Sequence, residues 1–265
     1  MKSRQFVPFF GGLSAISPTF SSDGKWVEYT SYPDHSLWRS RSDGTDRMQL
    51  TFPPVEVAFP NISPDGSKVA FGNLSGQLFI VSMQGGAPEM VVDSHATAGL
   101  WSPDSKLLVL TSFRSGANGK NHYFLRILDT RTRQLTEVPG SEGMVGGMWV
   151  TEDTIVAANQ DGTEFNLFNS RTGKWNHLLS GRFVNWAVSR DRQSLVFTTG
   201  GADPQAQRLR IADRHLETLT SLTNLRRVVD PIEGQTQLTL APDGSAVFAR
   251  DIGTQEIYAL NMKWP

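Results

Sequence analysis

Short apolar runs alternate with polar turns along the whole chain, and they do so in a repeating order. A turn phrase of the form apolar–Ser–Pro–Asp–Gly is well preserved at 20–24, 62–66, 101–105 and 240–244, and degenerate at 149–153 and 188–192. Its first place is always apolar. Its fourth place is always acidic, and the six acids are Asp23, Asp65, Asp104, Glu152, Asp191 and Asp243. These acids lie 42, 39, 48, 39 and 52 residues apart, which indicates a repeat architecture.

Each repeat unit continues in the same way after its acid. A run rich in β-branched or aromatic residues comes first, as at 107–110, and a loop and an alternating run such as 78–81 follow. A polar turn and a last short run such as 89–92 complete the unit. Four short strands separated by turn residues predict an antiparallel meander. We expect the acids to cap the turn between the first and second strands, because Asp bonds nearby backbone donors and Gly accepts a positive φ.

The meander predicts a ring, because a sheet that is apolar on both faces cannot bury itself alone. Six such sheets around one axis cover every face of each other. The 22 residues after Asp243 and the 23 residues from Met1 to Asp23 together make 45, close to the mean spacing of 44. We therefore predict an all-β fold, a six-bladed β-propeller of four-stranded antiparallel blades closed by an N-terminal strand at 4–9. The predicted blades are 13–52, 58–92, 98–140, 147–180, 184–222, and 235–265 with 4–9.

The turn phrase resembles the PD40 repeat, the WD40-like propeller repeat of the TolB-like group. The stretches 36–54 and 253–260 also resemble the carboxy-terminal propellers of bacterial winged-helix (CadC-like) regulators and serine/threonine kinases. This resemblance implies six blades and a sensory or docking role in bacterial signalling, with an effector domain missing upstream. Propellers that gate prolyl-oligopeptidase-type peptidases are similar too, which leaves open a gate domain separated from its peptidase.

Composition excludes several classes of protein and site. Lys plus Arg number 25 and Asp plus Glu 26, so the chain lacks the cationic surplus that nucleic-acid binding needs. It contains no cysteine, which removes disulfides, thiol nucleophiles and Cys-based metal sites. No apolar run approaches the ~18 residues of a membrane span. Because residues 4–9 fit a strand better than an export signal, the default compartment is the cytoplasm, whereas a TolB-like system or a membrane-spanning regulator would place it in the periplasm.

The search for catalytic chemistry finds no constellation. There is no Gly-x-Ser-x-Gly, the five histidines are scattered without metal-ligand spacing, and the glycine-rich segment 116–120 lacks the Walker pattern. We therefore predict no catalytic residues, no metal, no cofactor and a non-enzymatic protein. The alternative is a small-molecule hydrolase or lyase with carboxylates and a metal ion in the central channel. A truncated gene product without an independent task is a third possibility.

Recognition by loops is the remaining function, since loops on a rigid scaffold carry binding. In a propeller the connections between blades share one rim with the turns between second and third strands. The segments 32–35 and 52–54 and the long loops predicted at 113–122, 199–207 and 221–235 lie there. Aromatic and arginine side chains dominate binding hot spots. The residues predicted to bind a protein or peptide partner are Tyr32, His35, Arg114, Lys120, Arg226 and Arg227.

Overall fold

The computed structural model describes residues 14–116, 119–223 and 238–248, which form strands joined by turns. Five successive segments each form a four-stranded antiparallel sheet whose strand order follows the chain, and the last described segment forms a two-stranded sheet. The first three sheets comprise β1 (Ala15–Phe20), β2 (Trp26–Ser31), β3 (Leu37–Arg41), β4 (Met48–Gln49), β5 (Ala58–Ile62), β6 (Lys68–Gly72), β7 (Leu78–Ser82), β8 (Glu89–Val92), β9 (Ala96–Trp101), β10 (Leu107–Ser115), β11 (Asn121–Asp129) and β12 (Leu135–Glu137). The others comprise β13 (Met144–Trp149), β14 (Thr154–Asn159), β15 (Glu164–Asn169), β16 (Lys174–Ser180), β17 (Phe183–Val188), β18 (Ser194–Thr199), β19 (Gln205–Arg210), β20 (Leu216–Ser221), β21 (Leu238–Leu240) and β22 (Ala246–Phe248).

The sheets are arranged as the blades of a propeller around a central channel. The first strand of every sheet lines this channel, namely β1, β5, β9, β13, β17 and β21. Strand β21 contacts both β17 and β1, so the two-stranded sheet stands between the fifth blade and the first. The all-β propeller with four-stranded antiparallel blades is therefore confirmed. The described residues form five such blades rather than the six predicted, and the strands expected at 4–9 and 257–260 lie outside them.

The hydrophobic core lies between the blades. In the fourth blade, Ile155 and Ala157 face a buried cluster shared with the third blade. The alternate residues, Val156 and Ala158, face a cluster shared with the fifth blade. Because successive side chains of a strand point to opposite faces, both faces of this sheet are buried, as a ring requires. Two further clusters join the first blade to the second and the second to the third.

One repeated hydrogen-bond network closes the turn between the first and second strands. In the third blade, Ser102 Oγ donates to Asp104 Oδ1 over 2.7 Å and accepts from the backbone N–H of Leu107 over 2.9 Å. Asp104 Oδ1 also accepts from the backbone N–H of Lys106 over 3.2 Å. The same three bonds recur at Ser21 with Asp23, Ser63 with Asp65, and Ser189 with Asp191. Asp243 Oδ1 likewise accepts from the backbone N–H of Ser245 over 2.9 Å, although Ala241 replaces the serine. The predicted capping role of the acid is thus confirmed in five units, whereas the fourth unit has Val150 in place of the serine.

Two loops predicted to be long are partly strand. Strands β10 and β11 pair as far as Ser115 opposite Asn121, so the expected loop 113–122 shrinks to the turn 116–120. Likewise β18 ends at Thr199 and β19 begins at Gln205. The strand ends were predicted as loop because their residues are polar. Antiparallel backbone pairing, however, satisfies the N–H and C=O groups of exposed residues as well as those of buried ones. In the part of the chain that the structure describes, no helix is long and apolar enough to cross a membrane.

Candidate binding rim and central channel

Hydrogen bonds fix the turn between β2 and β3, which presents Tyr32 and His35 at the rim. The Asp34 carboxylate accepts from the hydroxyl of Ser31 and, over 2.7 Å, from that of Ser36. These bonds hold the pKa of Asp34 below its ordinary value, and the bond from Ser31 has the larger effect. The backbone N–H of His35 donates to Ser31 O over 3.0 Å. The Tyr32 and His35 rings lie edge to face with their centroids 5.8 Å apart. The turn therefore holds both predicted residues side by side.

Two neighbouring segments complete a surface beside this turn. The β4–β5 connection carries Phe52 and Glu56, and the backbone N–H of the next residue, 57, donates to His35 O over 3.0 Å. The β6–β7 turn of the second blade carries Leu74. A cavity of about 140 Å³ opens between the three segments, lined in part by His35, Glu56 and Leu74. We call Tyr32, His35, Phe52, Glu56 and Leu74 the rim patch. Its large apolar members are exposed by 42% for Tyr32, 62% for Phe52 and 69% for Leu74.

The other predicted binding residues lie away from this patch. Arg114, near the end of β10, pairs with Glu137 and places its guanidinium 3.9 Å from the Phe124 ring centroid. Lys120 is exposed in the β10–β11 turn of the third blade. The structure thus brings Tyr32 and His35 together and places Arg114 and Lys120 on a separate hairpin. The remaining two predicted residues, Arg226 and Arg227, lie outside the described residues.

The central channel has a volume of about 660 Å³ and a largely apolar lining. Residues that contribute to it include Phe20, Ile62, Trp101, Met148 and Trp149. The lining residues that the structure describes include no Asp, Glu, His or Lys, and their only permanent charges are two arginines. Over 14–116, 119–223 and 238–248, no group of three or more His, Asp or Glu side chains is placed to hold a metal ion.

Tryptophan side chains join neighbouring inner strands around this channel. The indole N–H of Trp101 donates to Asn61 O over 3.0 Å, and that of Trp186 donates to Gly146 O over 3.0 Å. Gly146 lies in an irregularity of the β13–β14 pairing and has a φ of 61°. A Cβ atom added there would lie 2.3 Å from Trp186 Cζ2. Because of both constraints, this position of the channel wall requires glycine.

Two arginines lie at the end of the channel formed by the turn phrases, opposite the rim patch. Arg192 Nη1 donates to the backbone oxygen of Trp149 over 2.8 Å. Its burial lowers the pKa of the Arg192 guanidinium from its ordinary value, although arginine stays protonated at neutral pH. Arg190 reaches toward the first blade, since its Nη1 lies 3.8 Å from where a Cβ of Gly24 would be. No hydrogen bond or ion pair within the described chain engages the Arg190 side chain.

A buried carboxyl group lies in the wall of the first blade. Glu28 is fully buried, and its Oε1 accepts from the hydroxyl of Thr19, a channel-lining residue. Its Oε2 has no hydrogen-bond partner in the described structure. Burial raises the pKa of Glu28 well above its ordinary value. Arg39 lies directly opposite on β3, but its Nη1 lies 3.7 Å from a carboxylate oxygen of Asp46 instead.

These channel groups were not among the predicted residues, yet the repeat carries a signal for them. At the third and fifth places of its phrase, the fifth unit has Arg190 and Arg192 where the second unit has Pro64 and Gly66. Glu28 stands five residues after the acid of its phrase. In the pairing of first and second strands, the equivalent residues of the other four complete blades are Ala70, Val109, Val156 and Val196, none more than 3% exposed. The fourth blade has Val156 at this place because its turn is one residue shorter. Departures from the repeat therefore mark the unusual residues of the channel.

The fold and channel define a β-propeller, and comparisons with known proteins make this more specific. No family model matches the chain. An uncharacterised protein of Agrobacterium fabrum is 30% identical over 105 residues, covering 33% of this chain and 36% of that protein, so the chain spans only about a third of this relative. A putative TolB from Agrobacterium tumefaciens superposes with a TM-score of 0.70 at 17% identity over 89% of both chains.

Two further solved structures share this architecture. TolB from Acinetobacter baumannii gives a TM-score of 0.67 at 16% identity, over 93% of this chain and 60% of that one. An oligogalacturonate lyase in complex with manganese gives 0.60 at 14% identity, over 90% of this chain and 77% of that one. At these identities the likeness concerns the fold. The chain has the fold of a TolB-like β-propeller, as the turn phrase indicated.

Proposed function

We propose that this chain is a non-enzymatic propeller that binds a protein or peptide through the rim patch. The observation that carries this proposal is a cavity between two adjacent blades, whose lining includes His35 and the exposed Leu74. Tyr32 and Phe52 are exposed on the two chain segments that border this cavity. Exposed apolar groups that cluster on a monomer surface mark interaction sites more often than scattered ones do. The aromatic members belong to the residue types that dominate hot spots.

The chemistry of the patch suggests what the partner presents. A volume of about 140 Å³ accepts roughly one large apolar side chain. Glu56 is exposed beside that cavity and His35 is half-buried, so a basic or amide group next to the inserted side chain would find an acceptor. Arg114, Lys120, Arg226 and Arg227 would make further contacts along the same rim if the partner is long. We infer that the partner is an extended segment with an apolar residue beside a hydrogen-bond donor.

A peptide library displayed on phage tests this proposal, because selection from random sequences does not require an identified partner. Peptides selected on the immobilised chain should bind the variant Phe52→Ser/Leu74→Ser at least about tenfold more weakly, since the two most exposed apolar side chains of the patch are lost. The matched control is Leu216→Ser, which removes a side chain of 43% exposure on β20 of the fifth blade. Selected peptides that bind the double variant as tightly as the parent chain would contradict binding at the rim patch.

We further propose a biological role as the sensory or docking domain of a bacterial signalling or transcription-regulatory protein. The resemblance of segments 36–54 and 253–260 to propellers attached to winged-helix and kinase domains supports it. In-frame coding sequence for such an effector domain next to this gene would be the expected finding. A gene neighbourhood without an effector domain, together with a chain that binds no signalling protein, would argue against this role.

We also propose that the ring has six blades, with the strand at 4–9 completing the sixth. The contacts of β21 with β1 and β17 support this count, as does the 45-residue total of the two terminal stretches. The chain contains no cysteine, so Val7→Cys and Ala259→Cys provide unique sites for nitroxide labels. Their separation by double electron–electron resonance should be below about 20 Å, because paired strands lie about 5 Å apart. A separation above about 30 Å would rule out closure by this strand.

An enzyme with a metal ion in the channel is the second candidate, and the fold-level likeness to a manganese-bound lyase favours it. This candidate predicts that the purified chain retains about one equivalent of manganese or calcium after gel filtration. Elemental analysis measures that quantity directly. A metal content far below one equivalent, after incubation with either ion, would count against this candidate.

A further inference from the structure

We propose that the end of the channel formed by the turn phrases binds the anionic head of a small amphiphilic molecule, a carboxylate or a phosphate. The apolar part of that molecule would lie inside the channel. This site lies at the opposite end of the propeller from the rim patch, so it does not depend on the partner-binding proposal.

The charge of the channel is the first argument. Its described lining has two guanidinium groups, Arg190 and Arg192, and no carboxylate to balance them. Asp191 stands between them in the sequence but does not line the channel, because its carboxylate is held in the turn by Ser189 Oγ over 2.6 Å and by the Gln193 N–H over 3.0 Å. Arg192 is half-buried and Arg190 is exposed at the mouth of the channel. A charge beside low-dielectric walls attracts an anion more strongly than the same charge on an open surface does, so Arg192 contributes most of this attraction.

The geometry of Arg192 is the second argument. Its Nη1 is held by the Trp149 backbone oxygen, which fixes the direction of the guanidinium. Its other N–H groups make no hydrogen bond to described residues, and the Arg190 guanidinium is likewise without a partner there. Arginine binds carboxylate and phosphate through two parallel N–H donors, and a guanidinium that is already oriented loses less entropy on binding.

The sequence of the fifth unit is the third argument. The third place of its phrase is Arg190, where Pro64 stands in the second unit. Its fifth place is Arg192 with a φ of 58°, where Gly66 has a φ of 72°. A non-glycine residue in the left-handed region costs about 1–2 kcal/mol. The turn itself accepts a side chain at this place, since Ser105 has a φ of 62° in the third unit. The fifth unit differs from the other five in carrying a cation at both places, next to the channel.

The rest of the channel suits an apolar body. Phe20, Ile62, Trp101 and Trp149 contribute to the lining at the same end as the arginines, and Met148 lies one residue further in. The volume of about 660 Å³ falls within the range of about 300–1,000 Å³ that is typical of small-molecule sites. An apolar chain or ring attached to the anionic group would thus bury its surface there, while the group itself meets the guanidiniums.

Titration with three probes of equal chain length tests this inference: decanoate, decyl phosphate and neutral decanamide. Three of the seven tryptophans line the channel, so tryptophan fluorescence reports occupancy, and calorimetry gives the dissociation constant. We expect at least one anionic probe to bind at least about tenfold more tightly than decanamide, since hydrogen bonds between charged groups are stronger than those of a neutral amide. The relative affinity of decanoate and decyl phosphate identifies the preferred head. That preference for an anion should shrink as salt rises, because screening weakens the attraction.

Variants locate the binding site. Arg190→Gln, which removes no contact within the described chain, should weaken the binding of the anionic probe about tenfold and leave decanamide unchanged. Arg192→Gln should do the same, with thermal unfolding monitored because its bond to Trp149 is lost. Arg131→Gln is the control, since it makes the same charge change on an exposed turn of the third blade. Equal affinities for decanoate, decyl phosphate and decanamide, an equal loss in Arg131→Gln, or no binding of any probe at millimolar concentration would each overturn the proposal.

Discussion

Replacement of Glu28 by glutamine should stabilise this propeller at neutral pH and leave it unchanged in acid. The carboxyl group is fully buried between the first two blades, and only one of its oxygens is hydrogen-bonded within the described structure. Glutamine retains the side-chain shape and an acceptor for the Thr19 hydroxyl. It removes the need to place an ionised group in the core or to keep a proton on it as the pH rises.

The pH dependence follows from the direction of the pKa change. Burial raises the pKa of Glu28 in the folded state, whereas the unfolded chain has the ordinary value of about 4.3. The folded state therefore binds the proton more tightly. Stability from this group is complete below about pH 4.3 and is lost as the pH rises toward the folded-state pKa. Within that window the loss is at most about 1.4 kcal/mol per pH unit, the limit for a single proton.

Urea denaturation of the parent chain and of Glu28→Gln between pH 4 and pH 8 measures this effect. The free energies of unfolding should agree near pH 4 and then diverge, with the variant more stable by up to about 1.4 kcal/mol for each pH unit. All other titrating groups cancel in this difference, which isolates the one carboxyl group. Glu28→Ala, which copies the residue of the second blade, provides a second variant without a polar group.

A specific rearrangement would refute this reasoning. Arg39 lies opposite Glu28 on β3 and could turn from Asp46 to form an ion pair with it. That pair would lower the pKa of Glu28, so the parent chain would gain stability with rising pH and Glu28→Gln would be the less stable protein at pH 7. If the free energy of unfolding of Glu28→Gln equals that of the parent chain at pH 4 but is lower than it at pH 7, Glu28 is ionised in the folded state.

Two further substitutions test the channel wall and the turn network. Gly146→Ala should cost about 2–4 kcal/mol, because the positive φ and the clash with the neighbouring indole add, whereas Gly173→Ala, with a φ of 65° and open space, should cost only about 1 kcal/mol. Equal losses in chemical denaturation would mean that the wall yields to the added methyl group. Ser102→Ala should lower the free energy of unfolding by about 1–2 kcal/mol, because two hydrogen bonds are lost. The serine lowers the pKa of Asp104 in the folded parent chain, so this deficit should start to shrink below about pH 4, where the unfolded chain takes up a proton, and be smallest below the lowered pKa. Ser115→Ala, on an exposed part of β10, is the control for that series. A stability deficit of Ser102→Ala that does not change with pH would mean that Ser102 does not stabilise the ionised form of Asp104.

The repeat made the fold predictable because it expresses local chemistry. The Ser–x–Asp turn closes on itself within a few residues, as Ser102 and Asp104 show, so its hydrogen bonds can be inferred from the sequence. Successive apolar residues such as Ile155 and Val156 point to opposite faces of a strand, so the sequence already shows that both faces of the sheet are buried. Strand lengths were harder to predict, since backbone pairing beyond Phe113 depends on a partner strand rather than on the type of side chain.

The candidate sites were predictable only in part. Tyr32 and His35 lie together at the rim as expected, because one short turn carries both. Leu74 was not predicted to join them, since it comes from another blade and its place depends on how the two blades pack. Arg114 on β10 forms an ion pair with Glu137 on β12, two strands away in the same sheet, so the pair joins residues that are distant in the chain.

The amino-acid sequence by itself determined the repeat, the four-stranded blades and the network of the turns, since each of these rests on contacts among residues close along the chain. Only the tertiary structure decided which side chains share a surface. It placed Arg190 and Arg192 at the end of a channel whose described lining has no other charge, buried Glu28 against the second blade and brought Leu74 to the rim. The physical reason is that burial, desolvation and unbalanced charge belong to the space enclosed by several blades, and no single repeat unit encloses that space.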